Sequence, residues 1–557
     1  MKTALLYITG ILACSGVQGQ TTYFVKTNGS DANSGLSWEQ PKQNVQAAID
    51  AAVAGDQIWI AKGIYYPTSA ISGQTDPRAK SFIMKAGVSL YGGFDGTEST
   101  LKSRSMEDLN KNDSIQTWEF TNTTLLSGDI DGEPDEWIYN PSKLTWSITG
   151  NTNNSYHVIY SAIPEKSIVV TLNGLTITGG NADGAKDTET IGGGVYDDTN
   201  SLQLEGCIIQ NNYAAEEGGG AFLTGYMTGC LVTGNVSGNT GGGVSNYDVL
   251  QQSTLTYNTA ASNGGAIDNS GYVIGCHIYF NSAENGGGIY NMAYTDQSWI
   301  FSNYALQKGG GVYNDGETSN MQNDVVYNNA AFQGGGVYNS GNILYATIAG
   351  NTAKEGGGTY SDNSKMMNSV LWNNDDENAG SGTITYTASS GTALPGEGNV
   401  ALDLSTATFD NPVDFRGIPM TQSDTSSLFA ANYDLIKDSP CIGVGKVVAA
   451  PTVDILNRQR SRTSSDLGAY IYSPVLGMGK THISGESYPN PFADHINLRF
   501  ESGIRNIRIY STSGELIYQE NEAANHTRIE TSSLLPGIYL VKVETDTGEY
   551  VSRMIKL

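Results

Sequence analysis

Clusters of glycine recur through the middle of this chain at a nearly constant interval, and that period constrains the fold more than any other feature. The last glycine of each cluster is Gly194, Gly220, Gly243, Gly265, Gly288, Gly311, Gly336 and Gly358, separated by 26, 23, 22, 23, 23, 25 and 22 residues. A second column keeps the same period: Asn212, Asn235, Asn258, Asn281, Asn303, Asn328, Asn351 and Asn374. Three residues before each asparagine stands an aliphatic residue: Ile209, Val232, Leu255, Ile278, Ile300, Val325, Ile348 and Leu371. Five before it the residue is small or polar: Cys207, Cys230, Ser253, Cys276, Ser298, Asn323, Ala346 and Ser369. Because a strand alternates its faces, both positions point the same way, and a repeating aliphatic column describes the inside of a solenoid whose coils stack at about 4.8 Å. The asparagines then form a ladder at one bend, and the glycines supply positive φ at another. The regular part covers residues 165–380, nine or ten coils and about 45 Å of stack.

Composition supports this reading. The chain has 557 residues with 68 glycines and a formal net charge of −26, yet only 15% are charged. An acidic chain lacks the basic footprint that phosphate binding needs, which excludes nucleic acid. Aromatic content of 9%, including 32 tyrosines, argues against disorder. The glycines have no Gly-X-Y period, which excludes collagen.

The N-terminus reads as a signal peptide over 1–19, with Lys2 as the charged region, Ala4 to Ala13 as the apolar run, and Val17 and Gly19 before the cleavage point. Cys14 offers a lipidation alternative. No segment reaches the ~18 apolar residues of a membrane-spanning helix. Cys207, Cys230, Cys276 and Cys441 remain in the mature chain, too few for a disulfide framework. The first three read as small buried thiols in the interior column, with a Cys207–Cys230 bridge permitted but not demanded.

The C-terminus is a run of short alternating strands broken by Ser513-Gly514 and Pro536-Gly537, as in a small β-sandwich. Its Tyr488-Pro-Asn-Pro-Phe492 start, Pro536-Gly537-Ile538-Tyr539 and basic tail Arg553 to Lys556 resemble the C-terminal sorting domain of type IX secretion cargo from Bacteroidetes-type Gram-negative bacteria. The resemblance implies engagement of the type IX secretion machinery and a secreted or outer-membrane-attached, cell-surface protein.

The Gly-Gly-Gly-Val-Tyr-Asn repeats, with TTYFVKTNGSDANSG and QNVQAAIDAAVAGDQIWIAKGIYYP before them, resemble right-handed parallel β-helix proteins of the pectin-lyase-like and polymorphic outer-membrane protein type. In such proteins Val45 to Val53 forms a helix closing the open end of the stack. The expected organisation is a signal peptide (1–19), N-terminal cap and irregular coils (20–164), regular coils (165–380), closing coils and linker (381–482) and sorting domain (483–557). The fold class is all-β, a right-handed parallel β-helix followed by a small β-sandwich.

The resemblance covers lyases, hydrolases and adhesins, so activity must come from the site. Between Arg104 and Arg416 the chain contains no arginine, and Lys166, Lys186, Lys308, Lys354 and Lys365 fall in turns or beside strand starts. This counts against a lyase with an arginine base. Asp197-Asp198 is the nearest thing to a catalytic carboxylate pair, with turn chemistry as the alternative. The position two after the last glycine gives an aromatic column (Tyr196, Phe222, Ser245, Ile267, Tyr290, Tyr313, Tyr338, Tyr360), and the next residue a polar one (Asp197, Leu223, Asn246, Asp268, Asn291, Asn314, Asn339, Ser361). The aromatics read as self-stacking or as a glycan stripe.

The sharpest candidate is an outward patch across three coils, His277, Tyr279, Trp299, Phe301 and Asp324. Its aromatic faces suit sugar C–H surfaces, and its His and Asp can bond hydroxyls; the alternative is a terminal segment covering it. A calcium site is read more weakly from Asp129, Asp131, Glu133 and Asp135, which concentrate hard oxygen donors in one loop, and from the Asp108–Glu119 stretch. The resulting functional expectation is non-catalytic binding of a polysaccharide or surface glycan. The alternatives are a polysaccharide lyase or glycoside hydrolase, and a purely structural surface protein.

Overall fold

A computed structural model describes residues 20–473 except 111, 113, 141–144, 164–168 and 407. Within 485–556 it describes all but 489–493, 501–502, 512–515, 525, 533, 535–536 and 546–548. The signal-peptide reading, the Ser513-Gly514 turn and Pro536 lie outside the described residues, while Gly537 opens a strand. The chain divides into two compact units, residues 1–472 and 473–557.

The first unit is a parallel β-helix. A regular coil has four short strands, for example Val195–Asp197, Leu202–Glu205, Ile208–Gln210 and Tyr213–Ala214. Each strand pairs in parallel with its counterpart one coil away: Val195 with Ala221, Gln203 with Tyr226, Ile209 with Val232, Tyr213 with Val236. The third strands form a 13-stranded ladder and the fourth an 8-stranded one, while the first and second join in a 23-stranded sheet. Parallel pairing over such short strands survives because every coil is sandwiched between two others and its interior row is dry. That row holds one aliphatic residue from each of the first three strands, such as Val244, Leu250 and Leu255, all without solvent exposure. At the N-terminal end the helix Val45–Ala51 lays Val45, Ala48 and Ile49 over the same core, where an open stack would expose sheet edges.

Asparagine ladders bind the coils side chain to side chain. Along Asn212, Asn235, Asn258, Asn281, Asn303, Asn329, Asn351 and Asn374, each Nδ2 donates to the next Oδ1 at 3.0–3.1 Å. Each Oδ1 also accepts the preceding asparagine's backbone N–H, as from Asn258 to Asn281 (2.9 Å). Asn246, Asn269, Asn291, Asn314 and Asn339 form a second ladder with 2.8 Å steps.

Both ladders correct the counted columns. In the sixth coil the ladder residue is Asn329, not Asn328, so the inward residues are Val326 and Asp324 rather than Val325 and Asn323. Asn328 instead occupies the left-handed bend just before the ladder (φ 52°). In the coil at 264–269, Ala266 replaces the third glycine, so Asn269 is the ladder residue and Asp268 takes the outward position read for Ile267. A one-residue slip moves every side chain to the other face of a strand.

Residues 409–472 leave the stack and return along its outside. Phe409, Leu428, Tyr433, Leu435 and Tyr470 pack with outward residues of the third strands, including Phe301, Val325 and Tyr327, in a second apolar cluster.

The second unit contains a three-stranded antiparallel sheet (Gly485–Tyr488, His495–Phe500, His526–Glu530) and a four-stranded one (Leu516–Ala523, Ile504–Ser511, Gly537–Thr545, Glu549–Lys556). Ile496, Leu498 and Ile529 from the first sheet share one core with Ile507, Val541 and Met554 from the second. It is a small β-sandwich.

Candidate functional site

Of the five patch residues, the structure brings four together on the outside and places the fifth inside. Trp299 pairs with His277 and Phe301 with Tyr279 on adjacent third strands. Their rings stack, His277 on Trp299 at 4.8 Å and 4° between planes, Tyr279 on Phe301 at 4.9 Å and 16°. Asp324 points into the barrel, fully buried in the Cys276–Ser298–Ala346 column. Its Oδ2 accepts from Thr295 Oγ1 (2.7 Å) and its Oδ1 from Ser298 N (2.9 Å). Burial there raises its carboxyl well above the ordinary range. Asp324 faces inward because Asn329, and not Asn328, is the ladder residue of its coil.

The returning segment covers much of the outward four. Trp299 Nε1 donates to Tyr470 Oη (3.2 Å), Phe429 meets Tyr279 edge-on at 5.3 Å, and Phe301 is 2% exposed. His277 stays exposed and Tyr279 half-buried at the margin of the cover.

The first-strand aromatic column is open along more of its length. Tyr160, Tyr196 and Phe222 follow at 5.3 and 5.8 Å, and Tyr290, Tyr313, Tyr338 and Tyr360 at 5.0, 4.9 and 5.1 Å. Small Ser245 makes room in the column, and Tyr247 packs on Phe222 at 5.2 Å and donates to Glu217 Oε2 (2.9 Å). The column breaks at Asp268, whose carboxyl burial raises to about 6. Tyrosine hydroxyls donate to carboxylates beside the column, Tyr196 to Asp198 (3.0 Å), Tyr290 to Asp315 (2.5 Å) and Tyr338 to Asp362 (3.0 Å). Lys308 Nζ sits 4.3 Å from the centre of the Tyr338 ring.

The remaining candidates have structural partners. Asp197 and Asp198 face opposite ways: Asp197 is buried and accepts from Thr199 and Ser201, while Asp198 is exposed and serves Tyr196. They do not converge as a catalytic pair would. Asp129 accepts from Gly132 N (2.9 Å) and Asp131 from Glu133 N (3.2 Å), each anchoring its own turn, while Asp135 accepts from Asn154 Nδ2 (2.9 Å) of the segment after the hairpin. Among the described residues no three His, Cys, Asp or Glu side chains are grouped as a metal ion requires. Cys207, Cys230, Cys276 and Cys441 are unbridged and buried.

One concave site was not read from the sequence. The hairpin Glu136–Asn140/Thr145–Thr149 docks on the barrel at the bend after the third strand, through Trp146 N to Thr259 Oγ1 (3.0 Å). Farther along the same bend, Asn328 Nδ2 donates to Phe415 O (2.8 Å) of the returning segment. Between these two covers lies a cleft of about 200 Å³ lined by Tyr139, Trp146, Tyr257, Phe280, Ser302 and Ile418, with Asn281 and Tyr304 behind them. Trp146 stacks on Trp137 at 3.6 Å, and Tyr257 on Phe280 at 5.3 Å. The overlooked signal is the bend position itself, which is left-handed in every coil from Gly179 to Asn373. It holds glycine, asparagine or serine everywhere except Tyr257 and Phe280, both at φ 57°.

In comparisons with known proteins, no curated protein matches the chain. Among solved structures, the chain is similar to the pectate lyase Pel9A (14% identity, TM-score 0.39, covering 82% of this chain and 98% of that one). It is also similar to XylC in complex with xylose (10%, TM-score 0.36, 81% and 98%) and to a rhamnogalacturonan lyase (12%, TM-score 0.27, 81% and 96%). The family model of the secretion system C-terminal sorting domain matches residues 486–557, within the β-sandwich unit. By its own stacked parallel sheets this chain is a parallel β-helix, and its residues 486–557 form a secretion system C-terminal sorting domain, the mark of a secreted or cell-surface protein.

Proposed function

We propose that the protein is a surface-displayed β-helix of a Bacteroidetes-type bacterium, delivered by the type IX machinery, that binds polysaccharide without catalysis. The observation that carries this reading is the first-strand aromatic column from Tyr160 to Tyr360, much of it half-exposed on one flank of the stack. A polymer laid along the stack axis meets a similar aromatic edge at every coil rise of about 4.8 Å. Carboxylates beside the column, already held by tyrosine hydroxyls, retain lone pairs for sugar hydroxyls. Lys308 lies over aromatic rings, and Asp197 is withdrawn into the barrel. The placement of these two groups supports binding over catalysis on this face.

The test is incubation of the mature chain with a polysaccharide panel, measuring both retention and new reducing or unsaturated ends. The expected result is retention that falls in a Tyr290→Ala/Tyr313→Ala variant, with no new ends. New ends generated by the wild-type chain would establish a lyase or hydrolase instead. Retention unaffected by the double variant would remove the column from the function.

A further inference from the structure

We infer that the cleft between the Glu136–Thr149 hairpin and the returning segment is a second carbohydrate site, one that takes an uncharged sugar ring. The proposal rests on the polysaccharide reading for the class of ligand, but it stands on different residues.

The first observation is backbone conformation. The bend before each ladder asparagine is left-handed in every coil, with Asn211, Gly234, Ser302, Asn328, Gly350 and Asn373 at φ between 52° and 67°. Glycine and asparagine are the residues this conformation favours, whereas a bulky aromatic is an outlier there. Tyr257 and Phe280 occupy it in consecutive coils, and both line the cleft. Strain kept at a position where the neighbouring coils show a relaxed solution points to a use for the side chain.

The second observation is a polar atom with nothing to bond. Ser302, in the next coil of the same bend column, is 2% exposed, and its Oγ has no hydrogen-bond partner. It lines the same cleft. Asn281 beside it is saturated by the ladder, donating to Leu255 O, Tyr279 O and Asn303 Oδ1, so Ser302 is the group free to meet a ligand. A buried hydroxyl without a partner is costly, and a ligand hydroxyl removes that cost.

The third observation is the lining as a whole. Trp146, Tyr257 and Phe280 present ring faces and edges, and among the described residues no charged side chain lines the cleft. A pyranose has one C–H-rich face for such rings and hydroxyls at its rim for Ser302 and the tyrosine hydroxyls of Tyr139 and Tyr257. Among the described residues a uronate carboxylate would meet no cation in the cleft, in a chain of net charge −26. The cover on each side is specific as well. A Cβ at Gly234 would run into the Trp137 ring, so that bend keeps glycine where the hairpin seats, and Gly417 N bonds Gly350 O (2.8 Å) where the returning segment seats. Only the coils of Tyr257, Phe280 and Ser302 remain between them.

The experiment titrates the full mature chain with cellohexaose, xylohexaose, mannohexaose and hexagalacturonate, following tryptophan emission and heat. We expect at least one neutral hexamer to bind and change the emission, and hexagalacturonate not to compete. Tyr257→Asn/Phe280→Asn, which installs the residue other coils use, should weaken binding about tenfold or more while leaving the melting temperature unchanged or raised. Ser302→Ala, which the fold tolerates without a bend change, should weaken it about three- to tenfold. The Tyr290→Ala/Tyr313→Ala variant should lose polymer retention yet bind the hexamer as before, which separates this site from the column. Absence of binding by all three neutral hexamers would overturn the proposal. So would unchanged affinity in both cleft variants, or preferential binding of hexagalacturonate.

Discussion

Replacing Asp324 by asparagine should stabilise the barrel at neutral pH and leave it unchanged in acid. Asp324 is fully buried in the interior column, where among the described residues its carboxyl accepts from Thr295 Oγ1 (2.7 Å) and Ser298 N (2.9 Å), and the charge acting on it is that of Asp296, of the same sign. Desolvation therefore raises its proton affinity well above that of an ordinary aspartate. The folded chain holds one more proton than the unfolded chain at every pH between the ordinary carboxyl value, about 4, and the raised folded value. Stability is then greatest below that window and declines as pH climbs through it, by about 1.4 kcal/mol for each pH unit. Asparagine has the shape of the protonated acid, keeps an oxygen for Ser298 N–H and offers an amide to Thr295 Oγ1, but it does not titrate. The assay is urea unfolding of the full mature chain at pH 4, 5, 6 and 7, read by tryptophan fluorescence. All 7 tryptophans lie before residue 473, so the signal reports the β-helix alone. The variant and the wild type should coincide at pH 4, and the variant's advantage should widen with pH. A constant difference across the series would refute the reasoning, as would a variant less stable than wild type at pH 7.

Other expectations follow from the same geometry. Asp268→Asn should also stabilise between pH 4 and 7, by at most about 3 kcal/mol, because that carboxyl is raised to about 6; a midpoint shift present at pH 4 would count against this. Asn329→Ala should cost about 2–4 kcal/mol in urea unfolding, since it strips partners from Asn303 N and Ile300 O inside the ladder, whereas Asn328→Gly should cost about 1 kcal/mol or less. The reverse order would return Asn328 to the ladder. Tyr327→Ala should destabilise by about 3–5 kcal/mol and make residues 409–472 sensitive to protease, because that ring seats the returning segment and donates to Leu428 O (3.2 Å). Millimolar calcium should leave the melting temperature unchanged; a rise abolished by Asp131→Asn would assign an ion to the 129–135 loop.

What could be read from the chain and what could not divide along one physical line. The interior was legible because each coil repeats the same demand, an aliphatic residue at a fixed distance before a ladder asparagine, and Ile209, Val232, Leu255 and Ile278 answer it in register. The hairpin was not, because Trp146 reaches Thr259 across 113 residues from a stretch with no period, and local pattern says nothing about such a contact. The two register slips lie between these cases. They arose from counting residue types, glycine and asparagine, where backbone conformation sets the column. Each ladder asparagine follows a left-handed residue, and the doublets Asn211-Asn212 and Asn373-Asn374 place the ladder on the second member. Asn328-Asn329 is the same doublet, so the pattern itself puts Asp324 inside the barrel. Carried through the remaining coils, that rule sets Tyr257 and Phe280 before Asn258 and Asn281, where nothing local favours an aromatic. The residues that break the bend's conformational rule, Tyr257 and Phe280, are those that line the cleft, so the proposed second site is written in an exception to the repeat, just as the proposed polymer-binding column is written in the repeat itself.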